Sequence, residues 1–194
     1  EENDLKKSLE TRHDKEAERL KRFLALPDLS RTVGSPLKEI VDKTLQVKSL
    51  EGFDVIEIPE IIPVPILFDM FNMPEGHPAR SKSDTYYVDD NNVFRTHDTV
   101  FWYYYLNHPE IKKRIANNES FGTMCYGKVY RKDEIDNRHM NVFHQMGGLY
   151  LAPDNKQKVT PEDLKNVLSD IATNVFKANF RFYDHQFPYT DPSF

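Results

Sequence analysis

The sequence predicts one α+β domain, in which an antiparallel sheet is flanked by helices and a charged helix stands at the N-terminus. Segments of alternating apolar and polar residues predict the strands. Apolar residues at helical spacing, with capping residues ahead of them, predict the helices. The chain has 194 residues, of which 39% are hydrophobic and 29% are charged, and these values are typical of one globular domain.

The charge and the apolar runs exclude several classes of partner. A net charge of −5 gives no general attraction to nucleic acid, so we expect no DNA partner, and any RNA contact must be local or made by another subunit. No apolar run approaches a membrane span, and the charged first residues do not resemble a secretory signal. A single cysteine, Cys125, suits a reducing compartment. We therefore expect a cytoplasmic protein without a membrane partner.

The N-terminal part predicts two helices and a strand. A thin apolar stripe between Asp4 and Leu26 indicates a protruding charged helix, which we assign to residues 1–28. Residues 29–194 form the main domain. Ser35 and Pro36 are typical of the start of a second helix. After Gly52, residues 53–58 have the β-branched composition of a strand.

The middle of the chain is less regular. Three prolines in residues 59–65 indicate an irregular or edge segment, because proline cannot donate to a sheet ladder. Residues 73–84 resemble a loop. Residues 85–88 and 93–97 predict two short antiparallel strands joined by a turn. Residues 99–106 fit either a strand or a buried helix, since periodicity does not separate the two.

The C-terminal half predicts a long strand pair, a helix and a last strand. Residues 124–134 and 141–151 alternate around a polar loop, as in an antiparallel pair. Thr160 is a typical N-cap for the following helix. We expect the apolar residues of that helix to form a buried stripe, namely Leu164, Val167, Leu168, Ile171 and Val175. Residues 178–187 predict a final strand.

The run from Gly127 to Gly148 carries the clearest chemical signal. Arg131 stands at a strand end, and the return strand contains Phe143 and Gln145. A guanidinium beside an aromatic ring and an amide is suited to a nucleotide, with the cation on phosphate and the ring on a base. Taken alone, Arg131 is also consistent with an ordinary solvated arginine at a strand end.

This run resembles motif 2 of the class II aminoacyl-tRNA synthetases, in the form found in phenylalanyl-tRNA synthetase catalytic (alpha) subunits. The matching residues, in order, are Arg131, Asp133, His139, Phe143, His144, Gln145 and Gly148. Gly52, Phe53 and Pro59 are similar to motif 1. Further similar segments are FNMPEGHPAR (family NxPxxHPAR), RTH (family RTHT) and FPYTDPS (family FPFTEPS). The resemblance covers roughly residues 29–194 and implies a class II core fold.

The resemblance also implies roles for individual residues. Arg131 would be the catalytic residue, binding the α-phosphate of ATP and the substrate carboxylate. The other ATP-binding residues would be Asp133 at the adenine edge, His139 near the β- and γ-phosphates and Phe143 stacked on adenine. His97, Thr99 and Gln145 would surround the polar end of the amino acid. Phe187 and Tyr189 would contact its ring, although without the resemblance a core position is equally consistent with these two aromatics.

The implied activity is that of a phenylalanine-tRNA ligase. The enzyme would use ATP and Mg²⁺ to convert phenylalanine to phenylalanyl-adenylate and would transfer it to tRNA(Phe). The implied partners are phenylalanine, tRNA(Phe) and a β-subunit in an (αβ)₂ heterotetramer. No structural metal is implied. The N-terminal helix would correspond to the end of a coiled coil that reaches tRNA.

The sequence departs from the family at several positions. Gly147 replaces an acid that would pair with the substrate ammonium, Ser83 a common tryptophan and Trp102 a common glutamine. Motif 3, with its second ATP-binding arginine, would lie beyond Phe194, so the 194 residues alone would lack part of the ATP site. These departures leave two alternatives open: a non-catalytic paralogue or binding module, and a class II ligase for another amino acid.

The histidines and the single cysteine do not indicate a metal site or a nucleophile. His97, His139 and His144 do not have the spacing of a zinc site, and His144 is expected to be structural. Cys125 has no indicated base partner, so a nucleophilic role is not expected.

Overall fold

The computed structural model describes residues 2–183 and confirms the α+β class. The helices are α1 (Glu2–Glu10), α2 (Lys15–Ala25), α3 (Pro36–Leu45), α4 (Val64–Leu67), α5 (Phe101–Asn107), α6 (Pro109–Ala116) and α7 (Pro161–Ile171). The strands are β1 (Asp54–Ile56), β2 (Ile61–Pro63), β3 (Asn92–Phe94), β4 (Phe121–Tyr130) and β5 (Val142–Leu151). Short 3₁₀ turns occupy Lys48–Leu50, Asp69–Phe71 and Pro78–Arg80, and a π-turn, Ala172–Phe176, follows α7.

A three-stranded sheet with the order β1-β4-β5 organises the fold. Strands β4 and β5 are antiparallel over their whole length, from Phe121 opposite Leu151 to Tyr130 opposite Val142, which confirms the predicted long pair. Strand β1 pairs with the other edge of β4 in parallel, a pairing that the sequence did not predict. Nearly every residue of the central strand β4 is buried.

A second, two-stranded sheet contains the proline-rich segment. Strands β2 and β3 are antiparallel, with Ile61 opposite Phe94, and Pro63 is the last residue of its strand, as expected of an edge segment. Residues 85–88 do pair with the segment after the turn, but only through an isolated bridge between Tyr87 and Val93. One further hydrogen bond continues this ladder beyond Phe94, since the Arg95 amide donates to the Glu60 carbonyl at 3.0 Å.

The N-terminal segment forms two helices, so the prediction of a single helix was wrong. Asp14 starts the second helix by accepting a hydrogen bond from the amide of Ala17 at 2.9 Å. Leu9 and Leu20 are fully buried and share a core cluster with Tyr86 and other aromatic residues of the main domain. The helices therefore pack on the domain. The boundary at residue 28 and the coiled-coil relation stay predictions.

The aromatic segment that fitted both a strand and a helix is helix α5. Phe101 and Tyr105 are its buried residues, and they lie one helical turn apart. The Tyr105 side chain packs edge to face against Phe121 on β4, with ring centroids 5.9 Å apart. Burial against the sheet, which the local sequence does not encode, selects the helix here.

Helix α7 confirms its predicted start but not its predicted burial. Thr160 and Asp163 form a reciprocal capping box. No residue of α7 is buried among residues 2–183, and Leu164 and Leu168 are 50% and 45% exposed, so the expected buried stripe was wrong for this part of the chain. A polar contact anchors the helix: the Ser49 amide donates to Asp170 Oδ2 at 3.2 Å.

The predicted final strand is not formed over residues 178–183, and residues 184–187 lie outside the described part of the chain. None of the helices that the structure describes has the length and apolar character needed to cross a bilayer.

Candidate active site

A cavity of about 700 Å³ opens where the ends of β4 and β5 meet the segment between β3 and α5 and part of residues 71–85. Charged and amide side chains line it from the strand ends, and hydroxyl, imidazole and carboxyl groups line it from the segment before α5. The predicted site residues that line it are His97, Thr99, Arg131, Asp133 and Gln145. Antiparallel pairing brings the loop after β4 beside the start of β5, so residues distant in sequence share one wall.

Arg131 follows the last residue of β4 and is held at two points. Its amide donates to the Asn141 carbonyl at 3.0 Å, and its side-chain Nε donates to the Thr96 carbonyl at 2.9 Å. Among residues 2–183 it forms no ion pair with a carboxylate within 4.0 Å. The terminal nitrogens of a guanidinium fixed in this way are suited to an anion such as a phosphate.

Phe143 lies beside Arg131. The guanidinium carbon is 5.2 Å from the centroid of the ring, a cation–π distance, because residue 143 pairs with Val129 just before the strand ends. Phe143 is not part of the lining formed by the described residues. Its predicted stacking on adenine stays a prediction.

His139 lies in the loop between the two strands and outside the cavity lining formed by residues 2–183. Its Nδ1 atom is 3.0 Å from each carboxylate oxygen of Asp136. The hydrogen bond with that carboxylate raises the pKa of His139, which favours the imidazolium form. A cation in this loop is compatible with phosphate binding, and the role of His139 stays a prediction.

The residues predicted for the polar end of the amino acid make two neighbouring sets of hydrogen bonds. Gln145 Oε1 accepts a hydrogen bond from the Asp98 amide at 3.0 Å. Thr99 Oγ1 is hydrogen-bonded to His97 Nδ1. The His97 ring also packs edge to face against Phe71, with centroids 4.7 Å apart. Gln145 and Thr99 therefore orient their neighbours as well as face the cavity.

His97 is neutral at physiological pH. Burial, and then the positive charge of Arg131, lower its pKa to about 4. A neutral imidazole does not repel a bound cation, and its Nε2 atom is buried without a hydrogen-bond partner among residues 2–183.

This lowered pKa predicts a pH-dependent stability. Between pH 6.5 and pH 4 the unfolded chain binds a proton at His97 that the folded protein does not, so the free energy of unfolding falls as the pH falls through that window. We expect His97 to contribute a loss of about 1.5 kcal/mol between pH 6.5 and pH 5. Urea unfolding at both pH values, compared between wild type and His97→Gln, measures it; an equal pH dependence in the two proteins would contradict the assignment.

Asp98 is a cavity-lining residue that sequence reasoning missed. It lines the cavity, its side chain is more than nine-tenths buried, and its Oδ2 atom has no hydrogen-bond partner among the described residues. Burial raises the pKa of this carboxyl group. The available signal was an acid placed directly after His97 in the RTH segment.

Phe187 and Tyr189, the predicted contacts of the amino-acid ring, lie outside the described residues. Their roles stay predictions.

Comparison with known proteins identifies the family. Residues 24–194 match the family described as "tRNA synthetases class II core domain (F)", which is most of the chain. The chain belongs to this class II core family. The predicted resemblance is thus confirmed, and the cavity lies between the segments that resemble motif 2 and RTHT.

Curated relatives include phenylalanine–tRNA ligase alpha subunits from two bacteria. The protein of Fusobacterium nucleatum is 34% identical over 173 residues, which are 88% of this chain and 47% of that protein. The protein of Natranaerobius thermophilus is 34% identical over 205 residues, covering 98% of this chain and 56% of that protein. The chain therefore spans about half the length of these relatives.

Solved structures of class II synthetases share the fold. A pyrrolysyl-tRNA synthetase from Desulfitobacterium hafniense superposes with a TM-score of 0.59 at 19% sequence identity, over 87% of this chain and 56% of that chain. A second structure of pyrrolysyl-tRNA synthetase from that organism gives a TM-score of 0.55 at 22% identity, over 82% and 52% of the two chains. At these identities the likeness concerns the fold alone.

The contacts of His144 and Cys125 indicate structural roles for these two residues and not chemical ones. His144 Nε2 lies 3.0 Å from the Leu29 amide and 3.2 Å from Asp28 Oδ1, so it joins β5 to the segment after α2. Cys125 is buried, and burial raises the pKa of its thiol to about 11, which opposes formation of a nucleophilic thiolate. Within residues 2–183 no cluster of three or more histidine, cysteine or acidic side chains is arranged to hold a metal ion.

Proposed function

We propose that the chain is the catalytic core of a phenylalanine–tRNA ligase alpha subunit, which activates phenylalanine with ATP and transfers it to tRNA(Phe). The observation that carries the proposal is the arginine at the end of β4. Its guanidinium is fixed by the Thr96 carbonyl at 2.9 Å, lines the cavity and has no carboxylate partner among residues 2–183. The names of the 34% identical relatives support phenylalanine as the substrate.

In the activation step, a carboxylate oxygen of phenylalanine attacks the α-phosphorus of ATP. A carbon–oxygen–phosphorus linkage forms, the bond to the β-phosphate oxygen breaks, and pyrophosphate leaves with the electron pair. The substrate carboxylate is itself the nucleophile, so no side chain needs to act as a general base. Arg131 stabilises the negative charge that grows on the α-phosphate, and catalysis is positioning together with electrostatic stabilisation.

Mg²⁺ enters as part of the MgATP substrate. The ion would be held mainly by phosphate oxygens. Asp133, at the cavity wall, is proposed to meet the adenine edge, with His139 near the outer phosphates and Phe143 on the adenine face.

The amino acid would occupy the part of the cavity formed by His97, Thr99 and Gln145. Phe187 and Tyr189 are proposed to receive the benzyl ring in an edge-to-face arrangement, which contributes on the order of 1 kcal/mol per pair beyond burial. We also propose a β-subunit as partner in an (αβ)₂ assembly in the cytoplasm.

Exchange of labelled pyrophosphate into ATP tests the proposal. The full-length protein with its β-subunit is expected to catalyse exchange only when phenylalanine is present. Absence of exchange with any amino acid would contradict the enzyme proposal and favour the non-catalytic paralogue, for which Gly147 is the motivating observation. Exchange that depends on a different amino acid would show that the chain catalyses the proposed reaction with another substrate, as in a class II ligase for that amino acid.

A further inference from the structure

The buried carboxyl group of Asp98 has an unsatisfied oxygen atom at the cavity. Asp98 lies between His97 and Thr99, which both line the cavity, and it is only 8% exposed. Its Oδ2 atom has neither solvent contact nor a hydrogen-bond partner among residues 2–183. A buried polar atom without a partner is costly, so its retention at a cavity points to a ligand group that completes it.

Gly147 provides the space for this carboxyl group. A Cβ atom placed on Gly147 would lie 2.4 Å from Asp98 Oδ2, far inside van der Waals contact. Residues 143, 145 and 147 of β5 share one face of the sheet, so Gly147 belongs to the same face as Phe143 and Gln145. The carboxyl group of Asp98 thus occupies the volume that any side chain at position 147 would enter.

The main chain around Asp98 is held in place. Its amide donates to Gln145 Oε1 at 3.0 Å, and its carbonyl accepts from the Phe101 amide at 2.9 Å at the start of α5. Arg95 and Arg131 are the cations close enough to favour its ionised form, and His97 beside it is uncharged. The backbone amides of Asp98 and Thr99 also favour the ionised form, but Oδ2 has no hydrogen-bond partner within the described residues. A cation that enters the cavity beside Asp98 would supply the partner that Oδ2 lacks.

We propose that Asp98 is the residue that binds the α-ammonium group of the amino-acid substrate, and that Gly147 is required because it leaves room for the Asp98 carboxyl group. This inference rests on the proposed function, since an ammonium group beside a carboxylate that reacts with ATP defines an amino acid. In this chain the acid comes from the segment before α5 instead of from β5. Asp98 thereby sets the requirement for an amino group.

Equilibrium binding of two ligands tests the inference. L-phenylalanine and 3-phenylpropionate share a benzyl group and a carboxylate, but only the amino acid has the ammonium group. Affinities are measured by calorimetry on the full-length protein with its β-subunit, without ATP, so that no adenylate forms. We expect wild type to prefer L-phenylalanine at least about 10-fold, the effect of one charge-assisted hydrogen bond. We expect Asp98→Asn to lose most of that preference while its affinity for 3-phenylpropionate is unchanged.

Two glycine variants form a matched pair. Gly147→Ala brings a methyl group against Asp98 and is expected to reduce the preference for L-phenylalanine. Gly148→Ala places its methyl group 2.8 Å from the sulfur atom of Met124, a flexible side chain, and is expected to keep the preference. Asp98→Thr combined with Gly147→Glu moves the acid to β5 and is expected to regain part of it.

The outcomes separate the two proposals. If wild type supports phenylalanine-dependent exchange but Asp98→Asn keeps the full preference, the role of Asp98 is overturned and the proposed function stands. If Asp98→Asn no longer binds 3-phenylpropionate, the test is made with Gly147→Ala. An unchanged preference of Gly147→Ala for L-phenylalanine over 3-phenylpropionate then overturns the inference. If wild type does not bind L-phenylalanine, the proposed function fails and the inference fails with it.

Discussion

Replacing Arg131 with alanine is expected to lower the rate of phenylalanine-dependent ATP–pyrophosphate exchange about 10²-fold or more, the scale for losing one preorganised charge-stabilising group. The guanidinium is fixed at 2.9 Å on the Thr96 carbonyl before any ligand binds, so little reorganisation accompanies the reaction. The loss is expected mainly in kcat, because the charge on the α-phosphate grows in the transition state. Steady-state exchange over a range of ATP concentrations measures it.

Two further variants control this prediction. Arg131→Lys keeps the charge but loses the planar fork and the Nε contact, so we expect it to recover only part of the rate. Arg22→Ala removes an exposed arginine of helix α2 and is expected to have a near wild-type rate. A near wild-type rate in Arg131→Ala, in a protein that unfolds at an unchanged temperature, would contradict the assigned role.

Replacing Lys128 with methionine is expected to destabilise the protein by about 3 kcal/mol, the scale for removing one partner of a buried ion pair. The ammonium group is almost fully buried and lies 3.1 Å from Glu60 Oε1. It also donates to the carbonyls of Leu24 and Leu26 at 3.1 and 2.8 Å, at the C-terminal end of helix α2. The variant removes the Lys128 charge from Glu60, whose Oε1 keeps the hydrogen bond from the Tyr130 hydroxyl at 2.6 Å, and it removes the Lys128 donor from the carbonyls of Leu24 and Leu26.

Thermal unfolding measures this loss, and a fall in Tm of about 10 °C is expected for a domain of this size. Lys113→Met is the matched control. Its ion pair with Glu110 is two-thirds exposed on both sides, so we expect a change within about 0.5 kcal/mol. A loss below about 1 kcal/mol in Lys128→Met would mean that Lys128 does not hold α2 on the sheet.

Local signals in the sequence predicted those parts of the fold that local interactions determine. Ser35 and Thr160 accept hydrogen bonds from their own helices, so their helix starts were readable. The long antiparallel pair was readable from alternation and from the polar loop between its strands. The N-terminal break was missed because neither glycine nor proline marks it, and only Asp14 caps the second helix.

Tertiary packing determines the structure of α5 and the burial of α7, which local sequence signals do not predict. The segment that contains Phe101 became a helix because the sheet buries one side of it. The leucines of α7 have helical spacing but remain about half exposed in the described part of the chain, since spacing indicates a face and not what covers it.

In the candidate site too, the residues on one strand pair were predictable from the sequence, and the contacts between distant segments were not. Residues within the motif 2 segment were found together because one antiparallel pair carries them. The approach of Asp98 to Gly147 joins two segments that are 49 positions apart in sequence. A missing acid at 147 was visible in the sequence, but the carboxylate beside it was visible only in three dimensions.

A crystal structure with a sulfamoyl analogue of phenylalanyl-adenylate tests whether Arg131 holds the phosphate of an aminoacyl-adenylate. We expect a sulfamoyl oxygen at about 3 Å from the Arg131 guanidinium, in the cavity that His97 and Gln145 line. An analogue bound elsewhere, or bound in that cavity with the guanidinium directed away from the sulfamoyl group, would show that Arg131 does not have this role.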